Sequence, residues 1–313
     1  MKLYAFSDFH LSGDPPTKPM DIFGPAWNNH REKIINAWME TIHPEDTVIM
    51  AGDLSWAMHI QDAISDLKML GTLPGRKIIV RGNHDYWWDT VTKMTRMTDG
   101  AFEFIHNSAL SVGPIAIAGT RGWIAETSRK LTEADKPIIL REEGRLERSL
   151  ELASKMNPER IIAVLHYPPF DELRNPTHML QLMTKYHVTD CVYGHIHGAM
   201  NFQNLPEELE GIRLHLTSAD YLDFKPHLLY DLEDFHAEKT TESKLLAGYI
   251  YGDNVTKEYV YLPGSEVDTE EPMLVYEDNG GRDDIGMERA LEIIEKRSLK
   301  PTTHPAFGKN TMG

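Results

Sequence analysis

Five short stretches of the chain carry residues that could do chemistry, and each follows an apolar run. They are Asp8-Phe9-His10, Gly52-Asp53, Gly82-Asn83-His84-Asp85, His166 within AVLHYPP, and Gly194-His195-Ile196-His197-Gly198. Four polar groups directly after the strand-like run KIIV are costly to bury unless something engages them. Asp oxygens and His nitrogens are hard and borderline donors that suit Mn, Fe, Zn, Co or Ni. The Asp-x-His and His-x-His spacings put alternate side chains on one side of an extended segment, so two of them can reach one ion or two neighbouring ions. Flanking glycines let backbone pass close to such a cluster. Any one fragment is more often an ordinary polar turn than a ligand pair; it is the set of five, each at a strand end, that reads as a metal site.

The elements that must position these residues alternate. KLYAFSD reads as a first strand ending at Asp8, DTVIMAGD as a second and RKIIVRGNHD as a third with its loop. Between them lie a Pro-rich loop (DPPTKPMDIFGPAW) and helices over NNHREKIINAWMETI and HIQDAISDLKMLGTL, the first with Ile34, Ile35, Trp38 and Ile42 near helical spacing. WWDTVTKMTRMT is a short helix or irregular segment, and FEFIHNSALSVGPIAIAGTRGW gives short strands separated by turns. A long helix begins after Pro137, RIIAVLHYPP and TDCVYGHIHG are further strands with their loops around a helix over HMLQLMTKYHV, and IRLHLTSADYLDFKPHLLYDL closes with strands. Strand and helix alternate over about the first 230 residues, which is an α/β pattern. In an open α/β sheet, ligands gather beyond the carboxyl ends of the strands, where these Asp, His and Asn residues fall.

From Asp231 the texture changes. Residues 231–313 carry 18 Asp and Glu against 9 Lys and Arg, so -9 of the chain's -16 net charge sits in about its last quarter. Two strands (LLAGYIYG, KEYVYLPG), a helix around GMERALEIIEKRSL and a poorly ordered tail are expected there. The overall charge argues against a general binder of nucleic-acid backbone, which carries a basic face. A nucleotide or small phosphoester is not excluded, because bound cations reverse the local field. The single cysteine, Cys191, rules out a disulfide framework within the chain and a Cys-based zinc site. No signal peptide is read at the N-terminus, and no apolar run approaches the ~20 residues that span a bilayer. A cytoplasmic protein is the expectation, with no membrane partner.

Taken together, D-x-H, G-D, G-N-H-D, H and G-H-x-H resemble the pattern of the calcineurin-like metallophosphoesterase superfamily over residues 1 to 230, and the surrounding wording (DIFGPAW, GDLSWAM, GNHDYWW) is similar to a bacterial subgroup of predicted phosphoesterases. The resemblance implies a four-layer αββα sandwich, two central mixed sheets flanked by helices. It implies a metallophosphoesterase domain over 1–232; the acidic extension 233–313 is not part of that pattern and is read as a cap, a dimerisation element or a peripheral support. It implies two metal ions, Mn2+ first and Fe, Zn, Ni or Co as alternatives. Asp8, His10 and His197 would hold one; Asn83, His166 and His195 the other; Asp53 would bridge them. Such a pair neutralises phosphate charge and activates a hydroxide for attack on a phosphodiester or phosphomonoester. His84 would assist the leaving group, with Asp53 or Asp85 orienting it and Asp85 otherwise fixing the loop. The expected partner is a small phosphoester, a nucleotide among the candidates; large nucleic acid is disfavoured and a homo-oligomer is left open. A catalytically silent metal-binding scaffold and a nuclease of the same fold are the competing readings.

Other residues divide between chemistry and packing. Arg121 in GTRGW either contacts substrate phosphate, through its fork of donors, or makes a structural salt bridge. Trp56, Tyr86, Trp87 and Trp88 form an aromatic wall near the site or pack the sheet edge. Arg81 pairs with an acidic group or reaches phosphate. His106, His178, His187, His215 and His227 are ordinary residues on this reading, and Cys191 a small buried hydrophobe.

Overall fold

Short apolar strands build two mixed sheets. The computed structural model describes residues 1–233, 235, 248–253, 258–263, 273–276, 282–284, 293 and 300–301. The chain divides into two units, Met1–Leu232 and Glu233–Gly313. In the first, β1 (Lys2–Ala5), β2 (Thr47–Met50), β3 (Arg76–Ile79), β4 (Glu103–Phe104) and β11 (His227–Asp231) form a sheet of order β11-β1-β2-β3-β4. The second sheet has β5 (Ala109–Val112), β6 (Ile115–Thr120), β7 (Arg160–Leu165), β8 (Asp190–Tyr193), β9 (Glu208–Leu209) and β10 (Ile212–Leu216) in the order β5-β6-β7-β8-β10-β9. The inner strands of both run parallel, while β11, β5 and β9 pair antiparallel.

Strand periodicity explains the layering, because successive side chains point to opposite faces. Tyr4, Val48, Met50 and Ile79 pack with Ile34 and Trp38 of α1 (His30–Thr41) and with Ala63, Leu67 and Leu70 of α2 (Ile60–Thr72). Ala116, Ala118, Ile161, Ala163, Cys191 and Tyr193 pack with Leu146 and Leu150 of α4 (Lys136–Ser154) and with Leu180 and Met183 of α5 (His178–Lys185). The alternating residues, Leu3, Ala5, Ile49 and Ile78 in one sheet and Ile115, Ile117, Ile162 and Val164 in the other, are equally buried. They belong to the faces that the sheets turn toward each other. A Cβ built on Gly119 of β6 would lie 3.1 Å from Val80 Cγ1, just past β3, so the sheets touch there. Each fully buried large side chain contributes about 1.5–3 kcal/mol. The result is the two-sheet α/β sandwich with outer helices that the resemblance implied.

Local differences from the sequence reading have simple causes. α4 begins at Lys136, not after Pro137; Pro137 sits in its first turn, where the missing N–H costs nothing. The ambiguous segment after Trp88 contains a short helix, α3 (Val91–Met97), whose Thr90 side chain accepts from Lys93 N. β1 ends at Ala5, and Asp8 lies beyond it in a loop.

The second unit contains a five-stranded antiparallel sheet, β15-β14-β13-β12-β16, from β12 (Gly248–Asp253), β13 (Glu258–Pro263), β14 (Met273–Tyr276), β15 (Arg282–Asp284) and β16 (Lys300–Pro301). The two strands expected there are β12 and β13, paired Tyr249↔Leu262 and Tyr251↔Val260. The helix expected around 286–299, Ile293 apart, and the tail after Pro301 lie outside the described residues.

Candidate metal centre

All seven residues expected to bind metal meet beyond the carboxyl ends of β1, β2 and β3 in one sheet and β7 and β8 in the other. His10 Nε2 lies 3.1 Å from His197 Nε2, and His197 Nε2 lies 3.3 Å from Asp8 Oδ1. Asn83 Oδ1 lies 2.6 Å from His166 Nε2 and 2.7 Å from His195 Nδ1, and the two ring nitrogens are 3.2 Å apart. Asp53 Oδ2 faces both groups, 3.8 Å from His10 Nε2 and 3.4 Å from His166 Nε2. Asp8, His10 and His197 form one cluster able to hold an ion; Asp8, Asp53 and His166 form another.

The backbone is bent to make this convergence. Asp8, His10, Asp53 and His195 all have positive φ, between 49° and 71°, which is costly for residues with a side chain. The motif glycines have a more specific purpose. A Cβ on Gly194 would sit 2.2 Å from Asp8 Oδ2, and one on Gly82 would sit 2.1 Å from Asp53 Oδ1. These glycines are the space in which the carboxylates lie.

The electrostatics fit cations. Asp8, Asp53 and Asp85 are all essentially fully buried. Burial, then the charges of Asp85 and Asp8, push Asp53 well above the usual carboxylate range. Burial also works against ionising Asp8, yet its bond to His197 and the surrounding histidines hold it well below that range. Burial holds His166 down to about 4, and burial with His166 holds His195 at about 3, so both rings are neutral and free to donate a lone pair. His197 goes the other way. Burial lowers it, but Asp220 and Asp8 outweigh burial and raise it to about 10. That value belongs to the metal-free ring; a cation held by His197 would take the place of the Nε2 proton. Asp8 Oδ2 and His10 Nδ1 are buried without a hydrogen-bond partner. Orphaned acceptors, nitrogens facing nitrogens and crowded carboxylates are a donor set suited to two cations.

The supporting groups are clear. Asp85 ties two loops together: its carboxylate accepts from Asp53 N (2.9 Å), Leu54 N (3.0 Å), Gly82 N (2.7 Å) and Trp87 Nε1 (2.9 Å). His166 Nδ1 faces Ala51 O at 2.9 Å. His197 Nδ1 faces Asp220 Oδ1 at 2.8 Å, while Asp220 Oδ2 accepts from Gly198 N. Asp220 was not singled out in the sequence; its only signal there was an acidic residue shortly after a closing strand.

His84 stands beside the cluster, its ring 5.7 Å from that of His10 and 4.2 Å from Trp56. Its backbone N–H donates to Asp53 Oδ1, but its Nδ1 has no hydrogen-bond partner, so neither Asp53 nor Asp85 orients the ring. Packing against Trp56 does that. The four aromatics divide. Trp87 is core and Trp88 packs on Phe104, whereas Trp56 stacks on His10 and Tyr86 is half exposed, 6.2 Å from His84. Trp27, 5.6 Å from the His197 ring and 6.0 Å from His10, is a further wall residue that the sequence did not mark. Arg121 lies 3.8 Å from buried Glu142 and stacks over Trp123.

Residues 1–199 match the family described as calcineurin-like phosphoesterase. The chain belongs to that family. Its members are metallophosphoesterases, and the two adjacent donor clusters place this chain among the hydrolases of the family. Similar solved structures include a protein of unknown function from Aquifex aeolicus (18% identity, 76% of this chain and 98% of that one, TM-score 0.43). Phosphopantetheinyl hydrolase from Mycobacterium tuberculosis is 17% identical over 74% of this chain and 96% of its own, with a TM-score of 0.44. A calcineurin-like phosphoesterase from Bacillus subtilis is 12% identical over 95% of this chain and 96% of its own, with a TM-score of 0.40. No curated protein matches the chain. Among the described residues, no helix is long and apolar enough to cross a membrane.

Proposed function

We propose that the chain hydrolyses a small phosphoester, diester or monoester, at a centre of two Mn2+ ions, with a nucleotide among the candidate substrates. The observation that carries this is the reach of Asp53 Oδ2, 3.8 Å from His10 Nε2 and 3.4 Å from His166 Nε2, one nitrogen from each donor group. Asp8, His10 and His197 would hold one ion, Asn83, His166 and His195 the other, and Asp53 would bridge. When bound, the ions supply charge for the phosphoryl oxygens and an activated water for attack.

The chain's own residues do the rest. Asp85 fixes the loops that present Asp53 and Asn83. Asp220 and Ala51 O set the ring orientation of His197 and His166. His84, its ring packed on Trp56 and its Nδ1 buried, would present Nε2 to the leaving oxygen and give it a proton. Trp27, Trp56 and Tyr86 would exclude water from one side and pack a ring-shaped leaving group. Residues 1–232 are the catalytic domain on this reading, and the net charge of -16 disfavours approach of a long polyanion.

The test compares bis-p-nitrophenyl phosphate with p-nitrophenyl phosphate on the full chain, stripped of metal and then restored with Mn2+. Metal-dependent release of nitrophenol is expected, and the faster substrate assigns diester or monoester. No turnover of either with Mn2+ present would reverse the proposal in favour of a silent metal-binding scaffold.

A further inference from the structure

A chain of net charge -16 gathers three guanidinium groups around one small cavity. The cavity, about 50 Å³, is lined by Arg81, Arg121 and Arg145 together with Glu142, Thr120 and His106. Three arginines against one carboxylate leave an excess of two positive charges. Glu142 is fully buried and does not need them all. Arg145 Nη1 donates to its Oε1 at 2.7 Å, and Thr120 Oγ1 donates to its Oε2 at 2.6 Å. Arg121 Nη2, at 3.8 Å, is beyond hydrogen-bond range of Glu142, and Arg121 Nε is buried with no hydrogen-bond partner. Arg81 bonds through Nε to Asp85 O at 3.3 Å, and it makes no ion pair among the described residues. Two guanidinium forks therefore keep unspent donors at this cavity.

The cavity is tied to the metal centre by the backbone. Arg81 lies two residues before Asn83, at the end of β3. The carbonyl of Arg121, at the end of β6, accepts from His166 N (3.0 Å) and Tyr167 N (3.1 Å). Trp123, 4.4 Å from the Arg121 guanidinium, holds its plane. Arginine forks with free donors are the usual device for gripping phosphate or carboxylate.

We infer that this cavity is a second anion subsite, which takes a phosphate or carboxylate that the substrate carries in addition to its scissile phosphoester. The inference rests on the metal-centre reading above and narrows its substrate class to small phosphoesters with two anionic groups.

The experiment is calorimetric titration of the Mn2+-loaded full chain with methylphosphonate and with α,ω-alkane bisphosphonates of increasing spacer length. One spacer length is expected to bind about tenfold tighter than methylphosphonate, a difference of about 1.4 kcal/mol. Arg121→Gln, which removes the fork with the unpartnered Nε and leaves the backbone carbonyl in place, is expected to erase that ratio, and Arg121→Lys to keep part of it. Because the ratio is taken within one variant, damage to the metal centre cancels. The inference is overturned if no spacer length outperforms methylphosphonate, or if Arg121→Gln, folded by circular dichroism, keeps the advantage. Failure of the metal-centre reading looks different: phosphonate binding then does not depend on Mn2+. In that case the subsite alone still binds inorganic phosphate in the wild type and not in Arg121→Gln, and equal binding by both overturns it.

Discussion

A buried carboxylate lies near each end of strand β8, Asp190 at its start and Asp53 beyond its end, and the two behave oppositely. At its start, Asp190 is surrounded by donors: His215 Nε2 at 2.9 Å, Arg213 Nη2 at 2.9 Å, Tyr230 Oη at 2.6 Å and Thr189 Oγ1 at 2.7 Å. Burial raises its pKa, but those hydrogen bonds and the Arg213 charge outweigh burial and hold it at about 2. Beyond the other end, past Gly194, Asp8 is held down by His197 and the neighbouring histidines, whereas Asp53 faces the carboxylates of Asp85 and Asp8. Asp53 is pushed up by burial and by its carboxylate neighbours. Asp190, supplied with donors, is a fastening; Asp53, crowded by carboxylates, is a place prepared for cations. Burial is the same at both ends, so burial alone does not mark function. The company the carboxylate keeps does.

The largest effect that would break this comparison is expected from Asp53→Asn. It should abolish Mn2+-dependent turnover and cost more metal affinity than the ~10–100-fold typical of losing a supporting partner. It should not lower the melting temperature of the metal-free protein, because the amide keeps Oδ1 for the His84 N–H and removes a crowded charge. A clear drop in that temperature would make Asp53 a fastening like Asp190.

Asp190→Ala should do the reverse. It removes four polar contacts and is expected to cost about 3 kcal/mol in urea unfolding, the scale for breaking a buried charged network. Mn2+ affinity should be nearly unchanged. Loss of metal binding without loss of stability would sink the distinction between the two ends of β8.

Acid titration sharpens the same contrast. Asp190 has a folded pKa near 2, depressed from 3.8. A depressed acid contributes stability that is present above its unfolded value and is lost as pH falls through the folded one. The window therefore runs from about pH 4 down to about pH 2, and the contribution is about 2 kcal/mol. Unfolding free energy measured across that window should fall more steeply in the wild type than in Asp190→Asn. Parallel curves would mean that the donors around Asp190 do not stabilise its charge.

Much of the metal centre was legible because its chemistry sits in contiguous fragments. Asp8-Phe9-His10, Gly82-Asn83-His84-Asp85 and Gly194-His195-Ile196-His197 each carry their own spacing, and an apolar run before each marks the strand end. What could not be read was anything set by the register between distant strands. The division into two sheets came from resemblance, since alternation of strands and helices alone is satisfied by one. Asp220 lies 23 residues from His197 and meets it only because β10 lies parallel to β8. The fastening at Asp190 draws on Arg213, His215 and Tyr230 from β10 and β11. His215 looked ordinary in the sequence, and its place there is structural. The glycines were legible as permissive positions, but not as the space occupied by Asp8 and Asp53, which is a property of packing.

Asp220 is the case in which the two kinds of carboxylate meet, and it carries the smallest predicted effect. It accepts the Gly198 N–H, as a fastening would, and it faces Nδ1 of a candidate ligand, as a supporting group would. If the second role dominates, Asp220→Ala should weaken Mn2+ binding by ~10–100-fold, because the His197 ring loses the partner that fixes its tautomer and orientation. Asp220→Asn, which can keep an oxygen acceptor toward Nδ1, should lose less. If the first role dominates, both variants should lower the melting temperature of the metal-free protein and leave the affinity alone. The carboxylate is nearly buried, 5% exposed, while the His197 ring is 29% exposed, so the loop is open enough to relax when the acid is removed. That favours loss of affinity over loss of fold, and calorimetric titration of the two variants with Mn2+ decides it.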